Sequence, residues 1–283
     1  MTVLDGVAGG VTAVTGFEKG SGKTTLLNGL LPVARTAGPI AVFSIGVDGG
    51  LKARDGARAQ EVRVEAGDVV LTTDLLARAS SARLEILEAL PARSVLGRLL
   101  LGRAVRGGEV TLVGAEHLAA LSGAIDLVRQ EAWAASALVD GAASRVTQVG
   151  ALGDVRFVFT VRVDRANLPR VAERVRALVA LASLPASEPP AGAMRLEGPL
   201  TEKVRDLLPP DLASLSIEDF TKSFLPPNEL LRFLGRVSCS VRRGLRLLGV
   251  VPALRAVTLD ELREAVGPAA SALLVANPCE VAG

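Results

Sequence analysis

The sequence predicts an α/β fold: three layers, a mostly parallel sheet flanked by helices, and a smaller C-terminal α/β module. Three observations carry this expectation. Residues 11–15, Val11-Thr12-Ala13-Val14-Thr15, form a short apolar run that reads as a buried strand, and the Gly-rich stretch after it opens a helix whose Leu26, Leu27, Leu30 and Leu31 share one side. Ile40-Ala41-Val42-Phe43 is continuous and apolar, as a strand covered on both faces should be. Ala137-Leu138-Val139-Asp140-Gly141-Ala142 is a similar apolar run that ends in an acid.

The connecting stretch is Gly16-Phe17-Glu18-Lys19-Gly20-Ser21-Gly22-Lys23-Thr24-Thr25. A strand, a Gly-rich turn and a helix opening with Lys-Thr is the context of a phosphate-binding loop, so the expected fold is P-loop NTPase-like. Gly20 and Gly22 let backbone N–H groups turn towards a phosphate without Cβ clashes. The helix N-terminus adds free donors and a partial positive charge. The candidate nucleotide-binding residues are Glu18, Lys19, Gly20, Ser21, Gly22, Lys23, Thr24 and Thr25. Lys23 would reach β- and γ-phosphate oxygens, and the Thr24 hydroxyl would ligate Mg²⁺. The pattern G-x-x-x-x-G-K-[ST] wants glycine at 17, whereas this chain has Phe17 with Gly16 one place early. The bland alternative is a Gly-rich strand-to-helix turn without a ligand.

Composition narrows the class. With 283 residues the chain can bury a full core and hold one large or two modest domains. Hydrophobic residues make up 49%, but aromatics only 3%, so Leu, Val and Ala must fill the core. No apolar run reaches the length of a membrane-spanning helix, and Met1-Thr2-Val3-Leu4-Asp5 does not resemble a signal peptide. The expected compartment is the cytoplasm, with no membrane partner. Net charge is +2, and all but five of the 32 basic residues are arginine. Arg242-Arg243 with Arg246 lacks interleaved aromatics and reads as a solvated face rather than a nucleic-acid surface. Cys239 and Cys279 are far apart and read as reduced, inert thiols. His117 is the single histidine, which excludes a multi-His metal site.

Taken in order, the first helix runs from about 22 to 35 and stops at Gly38-Pro39. The second strand exits into Ser44-Ile45-Gly46-Val47-Asp48-Gly49-Gly50, on the side where open α/β sheets bind ligands. Asp48 is there to approach the nucleotide, its metal or a water, or else merely closes an Asp-Gly turn. Residues 55–65 are charged and read as exposed. A strand at 69–72 precedes a helix that Asp74 caps. Residues 83–90 fit either strand or helix, and Pro91 ends them. Gly107-Gly108 between 99–105 and 109–113 reads as a hairpin turn, an antiparallel excursion from the βαβ pattern. Residues 116–135 form a helix, with Trp133 in the core. Asp140 closes a Walker B-like strand and would hold Mg²⁺ beside Thr24, although an ordinary Asp-Gly strand exit has the same form. Lys23, Asp48 and Asp140 are thus the candidate catalytic residues, and Thr24 and Asp140 the metal ligands. A strand at 155–163 follows, and Val161-Arg162-Val163-Asp164 lacks the Asn/Thr and Lys of a guanine-specific loop. ATP with Mg²⁺ is therefore the expected cofactor. A helix spans 168–184. The Pro-rich 185–193 reads as a linker between a nucleotide-binding domain (1–184) and a smaller module or sheet extension (194–283). Helices at 201–208, 226–235 and 258–266 and strands at 215–220, 246–251 and 272–275 fill that module.

Several of these stretches together resemble one family. The loop 16–25, the exit Ser44-Ile45-Gly46-Val47-Asp48-Gly49, Leu84-Glu85-Ile86-Leu87, the run 101–110, Leu138-Val139-Asp140-Gly141-Ala142 and Asn277-Pro278 are similar to the nucleotide-fold subunit of lysine 5,6-aminomutase reactivase. The resemblance covers most of 11–160. It implies a two-component, ATP-dependent, chaperone-like reactivation factor. The partner would be a subunit similar to the mismatch-repair MutS ATPases. The client would be an aminomutase that uses adenosylcobalamin and pyridoxal phosphate, and damaged cobalamin would be released. Lys23, Thr24, Asp48 and Asp140 carry over from that family, and a homo-oligomer is a further partner expectation. The other readings are a stand-alone P-loop small-molecule kinase or ATP-dependent ligase, and a nucleotide-binding module without hydrolysis.

Overall fold

The computed structural model describes residues 3–18, 20–45, 61–94, 96–115, 117–141, 146–188 and 192–279. The chain opens with β1 (Val11–Gly16), α1 (Lys23–Ala34) and β2 (Ile40–Ile45). Then come β3 (Glu61–Val64), β4 (Val69–Thr73), α2 (Asp74–Ala79), β5 (Arg83–Ser94), β6 (Gly97–Arg106), β7 (Gly108–Thr111) and β8 (Gly114–Ala115). α3 (Leu118–Gln130), β9 (Ser136–Gly141), α4 (Val146–Gly150), β10 (Val155–Asp164) and α5 (Leu168–Ala182) follow. The remainder is β11 (Met194–Arg195), α6 (Glu202–Asp206), β12 (Ser214–Ile217), α7 (Pro227–Leu234), β13 (Ser238–Val241), β14 (Arg246–Arg255), α8 (Leu259–Val266) and α9 (Pro268–Ser271).

The architecture is α/β, with a mostly parallel mixed sheet flanked by helices. Among the described residues the sheet has nine strands in the order β14-β10-β1-β9-β2-β4-β6-β5, with β8 beside β2. From β14 to β4 every pairing is parallel, and β6 and β5 close that edge antiparallel. β1, β2, β4 and β9 are buried at every position, which is why they read as unbroken apolar runs. Successive side chains then point to opposite faces. Val14 and Val42 meet Leu27 and Leu30 of α1 and Val62 and Val110 of the β3–β7 ribbon. Ala13, Phe43 and Phe157 meet Leu121 of α3 and Val175 of α5 on the other face. Among the described residues no helix is long and apolar enough to cross a membrane.

Four local expectations in the first half of the chain are corrected. The charged stretch 55–65 contains β3, whose Val62 and Val64 are buried while Glu61 and Arg63 are exposed; four residues of period two are too short a signal to see. The turn at Gly107-Gly108 does not join a hairpin. β7 pairs with β3, whereas β6 pairs with β5, with Ser94 opposite Gly97. Gly107 and Gly108 serve close approach instead: a Cβ on Gly108 would lie 2.5 Å from the Ala82 nitrogen, and one on Gly107 2.9 Å from the Val64 oxygen. Pro91 does not end β5, because it sits on the edge strand where the register shifts between Ala89 and Arg93. Finally, Thr73 rather than Asp74 caps α2, its side chain accepting from Leu76 N–H.

Beyond α5 the chain divides its strands. β11, β12 and β13 make a separate parallel three-stranded sheet, whereas β14 returns to the central sheet beside β10. An isolated bridge from Val250 to Leu274 stands where a strand at 272–275 was expected.

Candidate functional site

The C-terminal end of β1 delivers the Gly-rich loop, and Gly16 is its pivot. A Cβ there would lie 2.2 Å from Ser21 Oγ and 2.9 Å from the Thr160 carbonyl oxygen, so only glycine lets the loop fold back this closely. Gly20 and Gly22 hold left-handed backbone, with φ of 79° and 88°. Gly22 is the N-cap of α1, and no side chain caps that helix. Its first N–H groups therefore remain for a ligand. The loop is moored from two sides: Thr160 Oγ1 of β10 donates to the Ser21 carbonyl at 2.7 Å, and Lys23 Nζ donates to the Glu18 carbonyl at 3.4 Å.

Phe17, the departure from the glycine pattern, has its own place. Its ring lies 5.7 Å from that of Phe159, and the Arg174 guanidinium stands 4.5 Å above it. Arg174 Nη2 also donates to the Phe17 carbonyl at 3.1 Å. The glycine at 16 takes the tight turn, which frees position 17 for a bulky anchor.

Asp140 reaches the same place from β9. That strand lies directly beside β1, with Asp140 opposite Val14 on one side and Ser44 of β2 on the other. Asp140 is 3% exposed, and among the described residues neither carboxylate oxygen has a hydrogen-bond partner. Burial pushes its carboxyl from the ordinary 3.8 up to about 6, and the Lys23 ammonium pulls it part of the way back. The Ser21 hydroxyl is likewise buried without a partner among the described residues. An unsatisfied buried polar atom costs about 1–3 kcal/mol, more for a charged one, so this cluster is unfinished until something ligates it.

The structure thus brings Gly20, Ser21, Gly22, Lys23, Thr24 and Asp140 to one end of the sheet. Thr24 is half-buried in the first turn of α1 and its carbonyl accepts from Asn28 Nδ2 at 3.1 Å. Thr25 is exposed, and its carbonyl accepts from the Cys279 thiol at 3.3 Å. Glu18 is half-buried near Arg174 and acts on it electrostatically. Lys19 and Asp48 lie outside the described residues. Thr160, Phe159 and Arg174 complete the support of the loop. Arg174 belongs to the arginine-bearing side of 168–184, and nothing local in the sequence sets it apart from the other arginines there.

A hard divalent cation fits this donor set. Mg²⁺ is usually held by one or two carboxylates together with substrate phosphates rather than by an all-protein cage. Among the described residues no group of three or more His, Cys, Asp and Glu side chains forms such a cage. Burial lifts the Cys239 thiol to about 11, which leaves it inert. No protein-family model, curated protein or solved structure matches the chain.

Proposed function

We propose that the chain is a P-loop nucleotide-binding protein that takes Mg-ATP at the end of β1. The observation that supports this reading most is Asp140: a buried carboxylate with no partner among the described residues, beside the strand that feeds an uncapped, Gly-rich helix start. Backbone N–H groups from Gly20 to Thr24 would cradle phosphate oxygens. Lys23 would exchange its long bond to the Glu18 carbonyl for β- and γ-phosphate oxygens. Thr24 and Asp140 would hold Mg²⁺, which supplies charge neutralisation at the phosphates when bound. ATP is favoured over GTP because Val161-Arg162-Val163-Asp164 lacks a guanine-reading pattern, and Asp164 is engaged with Asn167 in two hydrogen bonds of 3.0 Å.

The family resemblance supports a larger role for this nucleotide site, as the ATP-binding or ATP-hydrolysing subunit of an aminomutase reactivation factor working with a MutS-like partner. Such a device needs nucleotide to bind two states of the complex with different affinity, not merely tightly. A second reading, a stand-alone small-molecule kinase or ligase, is favoured by one observation: a cavity of about 320 Å³ that shares Phe17 with the loop.

Calorimetric titration of Mg-ATP and Mg-GTP into the wild type and Lys23→Ala tests the nucleotide site. We expect selective ATP binding, weakened in the variant by roughly 1.5–3 kcal/mol through loss of charge-assisted contacts. No binding of either nucleotide, alone or with a MutS-like partner added, would sink the proposal. Turnover of a metabolite without any protein partner would favour the kinase or ligase over the reactivase.

A further inference from the structure

The cavity beside Phe17 has a chemistry of its own. It is bounded by Phe17 of the loop, Phe159 of β10, the start of α4, one side of α5 and the segment 220–230. At about 320 Å³ it falls at the lower end of the size range of small-molecule sites, roughly 300–1,000 Å³. Its walls are mainly apolar, with Ala177, Leu178 and Leu181 on the α5 side. The chain has seven phenylalanines, no tyrosine and one tryptophan, and Phe17, Phe159, Phe220 and Phe224 all line this one space. Phe224, 57% exposed, stands at the mouth of this space.

One charge stands in this apolar wall. Arg174 is half-buried, held over the Phe17 ring and hydrogen-bonded to the Phe17 carbonyl. Among the described residues no ion pair involves it. Glu18 favours its charge from a distance, Arg170 opposes it, and desolvation weighs against it most. A partly desolvated guanidinium without a paired carboxylate is costly, and its planar fork suits a carboxylate in particular. Ser223, also in the lining, has a hydroxyl buried without a partner among the described residues.

We propose that this cavity binds a small ligand with an apolar, ring-bearing body and a single carboxylate. The ring sits among the phenylalanines and the carboxylate pairs with Arg174. Lys23, Thr24 and Asp140 are not in its lining, so the proposal goes beyond the nucleotide-binding reading and can fail separately from it.

The test is calorimetry on the full chain with three probes of one shape: 4-phenylbutyrate, 4-phenylbutanol and 4-phenylbutylamine. The carboxylate is expected to bind about tenfold or more tighter than the alcohol, the size of a charge-assisted hydrogen bond, with the amine weakest. Arg174→Gln should bring the carboxylate down to the level of the alcohol. Leu178→Trp should fill the cavity and weaken carboxylate and alcohol alike, and it carries the test if Arg174→Gln fails to fold by circular dichroism. Lys23→Ala should weaken Mg-ATP while the preference for the carboxylate over the alcohol persists. Equal affinities for the three probes, no binding of any, or unchanged binding in Leu178→Trp would overturn the proposal. Any of these with Mg-ATP binding intact leaves the nucleotide site standing.

Discussion

At the scale of single residues, Asp140 makes the sharpest prediction because its burial has a sign. Its carboxyl titrates near 3.8 when unfolded and near 6 in the fold. The fold therefore favours the protonated form; this contribution is full below about pH 4 and is lost as pH rises through about 6. Without nucleotide, Asp140→Asn should raise stability at pH 8 by up to about 3 kcal/mol, two pKa units' worth, and flatten the pH dependence between 4 and 8. Urea midpoints across that range measure it. With saturating Mg-ATP the order should reverse, since only the wild type has the anionic ligand. The glycines separate in the same way. Gly16→Ala drives a Cβ to 2.9 Å from the Thr160 backbone oxygen, so it should cost about 1–3 kcal/mol and abolish Mg-ATP binding. Gly20→Ala meets nothing within 4 Å and bears only the strain of φ 79°, about 1 kcal/mol. Thermal unfolding of the two variants distinguishes crowding from strain. The candidate site was legible where its residues are close in sequence: Gly20, Gly22, Lys23 and Thr24 lie in one stretch between β1 and the first turn of α1. Phe17 was not legible as an anchor, because its reason is Arg174, 157 positions away.

At the scale of elements, the parallel strands were legible because burial on both faces forces an unbroken apolar run. β3 and the β5–β6 hairpin were not. β3 shows only two inward valines between charges, and Gly107-Gly108 has turn composition for a different reason, close backbone approach. β5 is an edge strand, and Glu85, Glu88, Pro91 and Arg93 along it are the kind of residues that discourage a further strand from adding. The site depends on a join between two elements, the bond from Thr160 on β10 to the loop carbonyl of Ser21. Thr160 is 2% exposed, so Thr160→Val keeps the shape and strands that carbonyl. The expected cost is about 1–3 kcal/mol in stability, with weaker Mg-ATP binding as the loop loosens. Chemical denaturation and titration of the same variant read the two effects, and unchanged affinity would show that the mooring is dispensable.

At the scale of the whole molecule, the small sheet of β11, β12 and β13 is tied to the Gly-rich-loop end of the central sheet by contacts far apart in sequence. Phe17, Phe159, Phe157 and Phe220 follow one another at centroid distances of 5.7, 6.2 and 5.3 Å. Thr147 of α4 donates to the Thr221 carbonyl at 3.1 Å, and a Cβ on Gly150 would lie 3.0 Å from Thr221 Oγ1. The receiving 3₁₀ turn, Phe220–Lys222, is itself fixed. Asp219 Oδ1 accepts from Thr221 N–H at 2.9 Å and from its hydroxyl at 2.6 Å, and the fully buried Asp219 side chain also pairs with Arg243. α4 is the first described element after Asp140 and Gly141. Coupling between the two ends requires one element that both of them bias, and α4 is the described element bonded to the small-sheet side through Thr147. Mg-ATP should therefore slow amide exchange by several-fold in 146–150 and again in 220–225, while the β5–β6 hairpin at the far edge keeps its rate. Thr147→Val should preserve the slowing in 146–150 and lose it in 220–225. Identical exchange in both segments with and without nucleotide would mean that the small sheet rides on the central one without sensing it.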